Sequence, residues 1–327
     1  MVFAEMLLTA GVDDDGRRLD RILRKMCPSL PLSVIYRLLR KGRILVDGKK
    51  ASADDRVRVG SVVLIPFFSD VDVVSEGAAQ SKRGNQAVDL EIIAESEFLL
   101  ALNKPSGLAV HDGEDSLASR VAVYLAGKLK ASLSFKPGPL HRLDRPTSGL
   151  IVFSKNLKGA RIFSSLLRER ALVKRYLALV DGCVDRECLW EDSLLHDKNR
   201  RKTFADGKGK PALTRIIPIT VSSTQSLVCA EILTGRTHQI RAQAACHGHP
   251  LSGDKKYGGR FQENGFMLHA SEMEFSAELE NLFSTSGLLE ADSTGKSADF
   301  KKLVAPLPQA FQKKVEAIFE RKIIIAR

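Results

Sequence analysis

The segment Pro139-Leu-His-Arg-Leu-Asp-Arg-Pro-Thr-Ser-Gly-Leu150 carries an aspartate, Asp144, between Arg142 and Arg145 and just before an apolar run. Its proline, threonine, serine and glycine mark a turn that leads into a strand. A carboxylate on a loop held by a rigid strand is well placed to act as a nucleophile or base. Guanidinium groups close by favour the charged form of a carboxylate. The same aspartate could instead cap a turn, with its arginines in water. A second polar group lies in Leu233-Thr-Gly-Arg-Thr-His-Gln-Ile-Arg241. Gly235 leads a turn into a helix whose N-terminus can bind an anion, and Arg241 is expected to point inward one turn later. An ordinary cap with exposed basic residues would read the same way. The third group is Lys174-Arg-Tyr-Leu-Ala-Leu-Val180, in which Tyr176 opens an apolar strand beside two cations. Such a tyrosine can stack on a nucleic-acid base; a half-buried strand tyrosine is the alternative.

Other chemistries lack their residues. The chain contains no G-x-x-x-x-G-K-[ST], no G-x-G-x-x-G that opens a helix after a strand, no H-E-x-x-H and no G-x-S-x-G. Neither a nucleotide nor any other cofactor is therefore expected. His238, His247 and His249 are irregularly spaced and lack partner carboxylates, so polar loop roles are expected and no metal. Asp254, in Pro250-Leu-Ser-Gly-Asp-Lys-Lys-Tyr-Gly-Gly259, could be a second acid but reads as a turn residue. The five cysteines (Cys27, Cys183, Cys188, Cys229, Cys246) form no C-x-x-C pair. They are expected to be reduced thiols outside any disulfide framework.

These groups need elements to hold them. Leu19, Ile22, Leu23 and Met26 recur at helical spacing, and Pro28 ends that helix. Ser33 is predicted to cap a second helix with Val34, Ile35, Leu38 and Leu39 inward, Arg37, Arg40 and Lys41 outward, and Gly42 as its terminus. Ile44 to Val46 reads as a strand, Asp47-Gly48 as a hairpin turn, and Arg56 to Ile65 as a last strand with an interruption at Gly60. Residues 69–88 are rich in Ser, Gly, Asp and Gln and carry no apolar face, the signature of a linker. Beyond it, strands are predicted at Leu90–Ala94, Phe98–Asn103, Gly149–Phe153, Tyr176–Val180, Ala212–Val221 and Leu227–Leu233. Helices are predicted at Ser116–Leu129, Leu157–Arg170 and Gln239–His247. A loop follows at 277–300, and a closing helix at Gln309–Ile324. Strands outnumber helices without alternating strictly with them, which predicts a mixed α+β fold with a largely antiparallel sheet. The division is a small module over 1–68, a linker over 69–88 and a large module over 89–327.

The 327 residues suit about two domains, and an apolar content of 44% is enough to bury real cores. The longest apolar run, Val62 to Phe68, is too short for a transmembrane helix. No basic stretch precedes a long apolar run near the N-terminus, so no secretory signal is expected and a cytoplasmic location is. Net charge is +11. The surplus is clustered: residues 17–50 hold eleven Lys or Arg against Asp20 and Asp47. Such a balance points to a polyanion, most often nucleic acid. Arg37, Arg40, Lys41 and Arg43, with Lys49 and Lys50 near the hairpin, are the expected phosphate contacts.

Five segments occur together and in order: Asn103-Lys-Pro-Ser-Gly107, His141-Arg-Leu-Asp-Arg-Pro-Thr-Ser-Gly149, Lys174-Arg-Tyr-Leu-Ala-Leu-Val180, Gly235-Arg-Thr-His-Gln-Ile-Arg241 and His249-Pro-Leu-Ser-Gly-Asp254. In this order they resemble the RluA family of pseudouridine synthases, over about residues 89–275. Arg18-Leu-Asp-Arg21, Ser33 to Gly42 and Val46-Asp-Gly48 resemble an S4 RNA-binding domain, and the pairing looks like the subgroup that modifies 23S rRNA. The resemblance implies an S4-type domain linked to a mixed, largely antiparallel-sheet catalytic domain, acting as a monomer on RNA without cofactor or metal. It implies that the N-glycosidic bond of a uridine breaks, the uracil rotates and a C5–C1′ bond forms. Asp144 matches the family's catalytic aspartate, which either attacks ribose C1′ or takes a ribose proton. Arg241 matches the arginine that pairs with it. Tyr176 matches the aromatic residue that stacks on the target base with its hydroxyl placed for C5 proton transfer. Arg142 matches the residue that fills the space left by the flipped nucleotide. One departure stands out: Gln243 occupies a position where the family commonly has His.

Other readings are a tRNA synthase of the same family, a non-catalytic RNA-binding or ribosome-assembly factor, and a single-aspartate glycosidic hydrolase. Intact Asp144, Tyr176 and Arg241 count against the non-catalytic factor. The hydrolase would need a second carboxylate to activate water, and none is suitably spaced.

Overall fold

The computed structural model describes residues 5–66, 89–260 except Asp112 and Glu114, 265–275 and 302–320. The linker predicted at 69–88 and the loop predicted at 277–300 lie outside these residues. Contacts group the chain into two compact units. One contains residues 1–89, 120–138 and 154–161; the other contains the remainder.

The first unit is built on β1 (Glu5–Thr9), α1 (Leu19–Met26), α2 (Leu32–Arg40), β2 (Leu45–Val46), β3 (Lys49–Lys50) and β4 (Val62–Pro66), with the sheet ordered β1-β4-β2-β3. Helix α1 buries Leu19, Ile22, Leu23 and Met26 on one face, as its spacing predicts. In α2, Ile35 and Leu39 are buried and Val34 and Leu38 half-buried. Ser33 does not cap this helix. The N-cap is Pro31, whose ring sets φ near −59°, so the helix opens at Leu32 with Ser33 in its first turn. Gly42 ends the helix with φ +64°, as expected of a left-handed terminus. Asp47 and Gly48 both take positive φ in the β2–β3 hairpin. The last strand is shorter than predicted: Arg56 makes only an isolated bridge to Arg18, and β4 begins at Val62. Strand β1, a short edge strand with one buried side chain, gave no sequence signal.

The core of this unit also takes Leu133. Asp14 explains how. It is fully buried and accepts hydrogen bonds from the Gly11 N–H (3.0 Å), the Leu133 N–H (2.8 Å) and the hydroxyls of Ser132 and Ser134. A buried carboxylate is tolerated only when its oxygens are satisfied in this way. Asp14→Ala would strand those donors, and we expect it to lower stability by about 2 kcal/mol or more in urea unfolding. A loss under about 0.5 kcal/mol would show that Asp14 does not hold the 132–134 segment.

The rest of the chain adds β5 (Ile92–Glu95), β6 (Leu99–Lys104), α3 (Leu117–Leu125), β7 (Gly138–Pro139), β8 (Ser148–Ser154), α4 (Leu157–Arg168), β9 (Leu172–Asp181), β10 (Cys188–Asp197), β11 (Lys202–Ala205), β12 (Lys210–Val221), β13 (Gln225–Ile232), α5 (Gln239–Cys246), β14 (Leu268–Phe275), β15 (Lys302–Val304) and α6 (Gln309–Phe319). One sheet runs β11-β10-β12-β13-β9-β14-β8-β6-β5, with β15 on β14 and β7 on β8. The ladders among β9 to β13, β9–β14, β14–β15 and β5–β6 are antiparallel, and β14–β8 is parallel. The fold is therefore α+β with a mixed, largely antiparallel sheet, as predicted. The closing helix is seen from Gln309 to Phe319, and its predicted end lies outside the described residues.

Strands β10, β11, β14 and β15 were not predicted. Strand β14 is the instructive case: Leu268-His-Ala-Ser-Glu-Met-Glu-Phe275 is too polar to read as a central strand. Its polar groups are all partnered. His269 Nδ1 meets the Ser148 hydroxyl (3.0 Å), its Nε2 meets the Ala305 carbonyl (3.1 Å), and Glu272 and Glu274 pair with Arg175 on β9. The carbonyl can only accept, so Nε2 carries the proton and Nδ1 accepts from Ser148. Burial pushes the His269 pKa down to about 4. The unfolded chain thus binds a proton that the native chain refuses. Stability from this site is whole above pH 6.5 and is lost as pH falls toward 4. That is on the order of 2 kcal/mol between pH 6.5 and 5. In melts across this range, His269→Gln is expected to flatten the acid limb by about one proton; an unchanged limb would refute the assignment.

Candidate active site

Asp144 sits on the loop between β7 and β8. The loop is anchored from both sides. Strand β8 packs so closely on β14 that a Cβ at Gly149 (φ +106°) would stand 2.2 Å from the Ala270 carbonyl oxygen, so only glycine fits there. On the other side, Lys104 at the end of β6 is fully buried. It donates to the carbonyls of Pro105 (2.8 Å), Leu108 (2.8 Å) and Arg145 (3.1 Å). Burial lowers its pKa to about 8, opposed by the charge of Asp144. Arg145 Nε returns a hydrogen bond to the Gly107 carbonyl (2.8 Å), and Ser106 Oγ donates to Pro146 (2.6 Å). The Asn103 to Gly107 segment is thus the splint of the Asp144 loop.

Arg241 lies in α5, one turn from a helix start at His238, and its guanidinium is buried. Its Nε and Nη2 donate to Asp254 (2.7 and 3.0 Å), and its Nη1 donates to Asp144 Oδ2 (2.9 Å). Tyr257 and Phe266 cover it, with ring centroids 4.9 and 4.4 Å from its central carbon. Burial opposes the charge, but the two carboxylates outweigh it and raise the pKa above the ordinary arginine value. Asp254 is therefore more than a turn residue. It is buried and holds the guanidinium in a fork, while its carbonyl accepts from the Tyr257 and Gly259 N–H groups.

Tyr176 stands on β9, buried, and lines the same pocket as Asp144 and Arg241. Arg142, Ile232 and Leu268 also stand in the wall of this open pocket. Burial, reinforced by the charge of Asp144, raises the Tyr176 pKa and keeps the phenol protonated. His238 enters from the start of α5, in a left-handed conformation (φ 53°). Its Nε2 is 3.7 Å from Asp144 Oδ2, and its Nδ1 is 2.9 Å from the Tyr257 hydroxyl, which accepts from the Thr203 N–H. Burial pushes the His238 pKa down to about 4, so at neutral pH it faces Asp144 uncharged. Arg142 is exposed at the rim, 3.4 Å from Thr237 Oγ1. His247 and His249 lie elsewhere, His247 on Asp192 and Trp190 and His249 on the Asp181 carbonyl.

Gln243, two residues beyond Arg241, is fully buried and acts as a peg. The two hydrogens of its amide nitrogen are shared among the Trp190 carbonyl (3.0 Å), Asp192 Oδ2 (2.8 Å) and the Ala212 carbonyl (3.1 Å), while its oxygen accepts from Thr214 Oγ1 (2.6 Å). Gln239 adds bonds to Leu213 and Thr214. Together they lock α5 onto β10 and β12. Sequence reading missed Asp254, Lys104 and His238 as site residues. For Lys104 and Asp254 the motif positions were visible, but the partners come from distant turns.

In the other unit, Arg37, Arg40, Lys41, Arg43 and Lys49 are all exposed. Arg37, Arg40, Lys41 and Lys49 have no ion-pair partner among the described residues. They share one short stretch of α2, the turn after it and the hairpin.

Residues 98–246 match the family model for RNA pseudouridylate synthase, and residues 17–63 match that for the S4 domain. Ribosomal large subunit pseudouridine synthase C of Vibrio cholerae is 34% identical over 282 residues, 81% of this chain and 87% of that one. The protein of the same name from Pasteurella multocida is 32% identical over 332 residues, 98% of this chain and 95% of that one. Among solved structures, human RNA pseudouridylate synthase domain containing 4 shares the fold, with a TM-score of 0.52 at 22% identity over 68% of this chain and 90% of that one. With this identity carried across both modules, the chain belongs to the RNA pseudouridylate synthases, enzymes that isomerise uridine to pseudouridine in RNA, and bears an N-terminal S4 domain.

Proposed function

We propose that this chain isomerises specific uridines of large-subunit ribosomal RNA, with Asp144 as the catalytic carboxylate, and that it works as a cytoplasmic monomer. The observation that carries the reading is the division of Arg241 between two carboxylates. Asp254 takes Nε and Nη2, so Asp144 receives a single bond at Oδ2. Its Oδ1 accepts nothing from the described residues and is free for ribose chemistry. All three partners come from one chain, which suits a monomer. The relatives named for the large ribosomal subunit support the rRNA assignment.

The reaction moves one bond and one proton: C1′–N1 breaks, C1′–C5 forms, C5 loses a proton and N1 gains one. The uridine must first leave its stack, and Tyr176 offers it an aromatic face. Because its phenol is held protonated, Tyr176 enters as a stacking and hydrogen-bonding group. The C5 proton passes to a base of this pocket, where Asp144 is the one carboxylate among the described residues and the uncharged imidazole of His238 stands beside it. A fixed guanidinium beside the reacting carboxylate needs no reorganisation as charge shifts. Arg142 at the rim fills the space vacated by the nucleotide.

Asp144→Asn keeps shape and loses charge. We expect it to bind 23S rRNA while pseudouridine formation falls by about three orders of magnitude or more. Arg241→Met is expected to be similarly impaired. Asp144→Asn retaining more than a few per cent of wild-type turnover would defeat the assignment. Mapping pseudouridines in 23S rRNA and tRNA from a strain lacking the gene decides the substrate: sites should vanish from 23S rRNA alone.

The exposed cations of α2 and the hairpin are read as phosphate contacts of the S4 domain. Removing the whole domain would uncover Leu133, so charge reversal is the cleaner probe. Arg40→Glu with Lys41→Glu, both on the solvent side of α2, is expected to weaken 23S rRNA binding. Each lost contact should reduce the log–log salt slope by about 0.7 to 0.9. Equal slopes in filter binding would make this only a solvated face.

A further inference from the structure

Side chains alternate along a strand, so Lys174 and Tyr176 share one face of β9 and Arg175 faces the other way. Arg175 is committed there: Glu231 accepts from its Nε at 3.0 Å, Glu274 from its Nη1 at 2.7 Å, and Glu272 also accepts from Nη1. Lys174 is half-buried and has no carboxylate partner among the described residues. Its Nζ lies against the Gly235 turn, 3.7 Å from where a Cβ on that glycine would stand.

Lys174 lines a cleft of about 520 Å³ that shares Arg142, Tyr176 and Arg236 as wall with the catalytic pocket, so the two adjoin. Arg170 lines it as well, and among the described residues no acidic side chain does. His141, also in the wall, accepts at Nε2 from the Val152 N–H (3.1 Å), and its Nδ1 is buried and closed to a ligand. Leu167 and Leu172 add an apolar wall. A partly buried ammonium in a cleft whose described lining holds no carboxylate is costly unless an anion answers it. Elsewhere in this unit buried Arg241 and half-buried Arg175 are answered by carboxylates, and buried Lys104 by three carbonyls.

We propose that this cleft is an RNA subsite that receives the nucleotide next to the uridine being isomerised, its phosphodiester held by Lys174 and Arg170. The proposal rests on the RNA-modifying reading above. Adjacency to the Tyr176 pocket places the ligand next to the target uridine along the RNA. A cleft of about 520 Å³ suits a whole nucleotide and its phosphate.

The test is filter binding of the full-length chain to a 23S rRNA transcript across salt concentrations, in an Asp144→Asn background so that the RNA is not altered. Lys174→Met is expected to weaken binding and reduce the log–log salt slope by about 0.7 to 0.9, one phosphate contact. Lys174→Arg should restore most of the slope, which repair of packing alone would not do. Arg170→Gln, on an exposed turn residue, is expected to move the slope the same way without risk to the fold. An unchanged slope in both Lys174→Met and Arg170→Gln, or a lowered slope that Lys174→Arg does not restore, would overturn the subsite. Pseudouridine formation by the wild-type chain is measured separately, so failure of the enzymatic reading and failure of the subsite appear in different data.

Discussion

A single buried guanidinium, that of Arg241, sets the terms for the catalytic unit. A charge taken out of water must be answered by good geometry, or the site unfolds around it. Here the answer is complete: a fork to Asp254, one bond to Asp144 and two aromatic faces. The two carboxylates are not equivalent. Asp254 is buried and doubly bonded, so it serves as the permanent counter-charge. Asp144 is more exposed and singly bonded, so one oxygen remains available. With Asp144 alone as partner, the guanidinium would engage both its oxygens and leave nothing free to react.

That arrangement requires three elements to agree on where Arg241 is. Helix α5 is fixed by Gln239 and Gln243, whose amides reach the backbone and side chains of β10 and β12. The Asp144 loop is fixed by Lys104, which gathers three carbonyls on one ammonium, and by the close approach of Gly149 to β14. Gln243 shows how a departure from the common family residue can be compatible with the site. An amide both donates and accepts at its end, so one side chain can accept from Thr214 while its two N–H groups serve Asp192 and the carbonyls beside it. Much of the site's precision is therefore held by neutral side chains and backbone groups, several of them behind the pocket wall.

Legibility in the sequence followed how local each signal was. Asp144 lies in a turn, Tyr176 in a strand and Arg241 in the first turn of a helix, each written in adjacent residues, and the structure brings all three to one pocket. The first helices were readable because Leu19, Ile22, Leu23 and Met26 keep helical spacing. Asp254, Lys104 and Asp14 were not readable as anchors. What defines them is the set of groups they bond, and Lys104 and Asp14 reach turns distant in sequence. Strand β14 was hidden because its stabilising contacts are polar: His269, Glu272 and Glu274 look like surface residues until Ser148, Ala305 and Arg175 are placed beside them. The misplaced cap at Ser33 has the opposite cause. A local rule was applied where Pro31, two residues earlier, had already set the backbone.

The basic surplus also needs sorting before it means anything. A net charge of +11 says that a polyanion is welcome, but not where. Adjacent residues can have opposite fates: Arg175 and Lys174 differ by one position, and strand alternation sends one to three glutamates and the other to an open cleft. Cations with carboxylates within bonding distance are structural, because removing their partner would expose an unanswered charge. Cations on an exposed helix face, such as Arg37 and Arg40, are cheap to solvate and can wait for a phosphate. A half-buried cation without a carboxylate is the demanding case, since water satisfies it poorly and the protein does not satisfy it at all. Among the described residues Lys174 meets that condition, on the same face of β9 as Tyr176. A phosphate held there, as proposed, would put the most specific electrostatic contact with RNA beside the catalytic pocket.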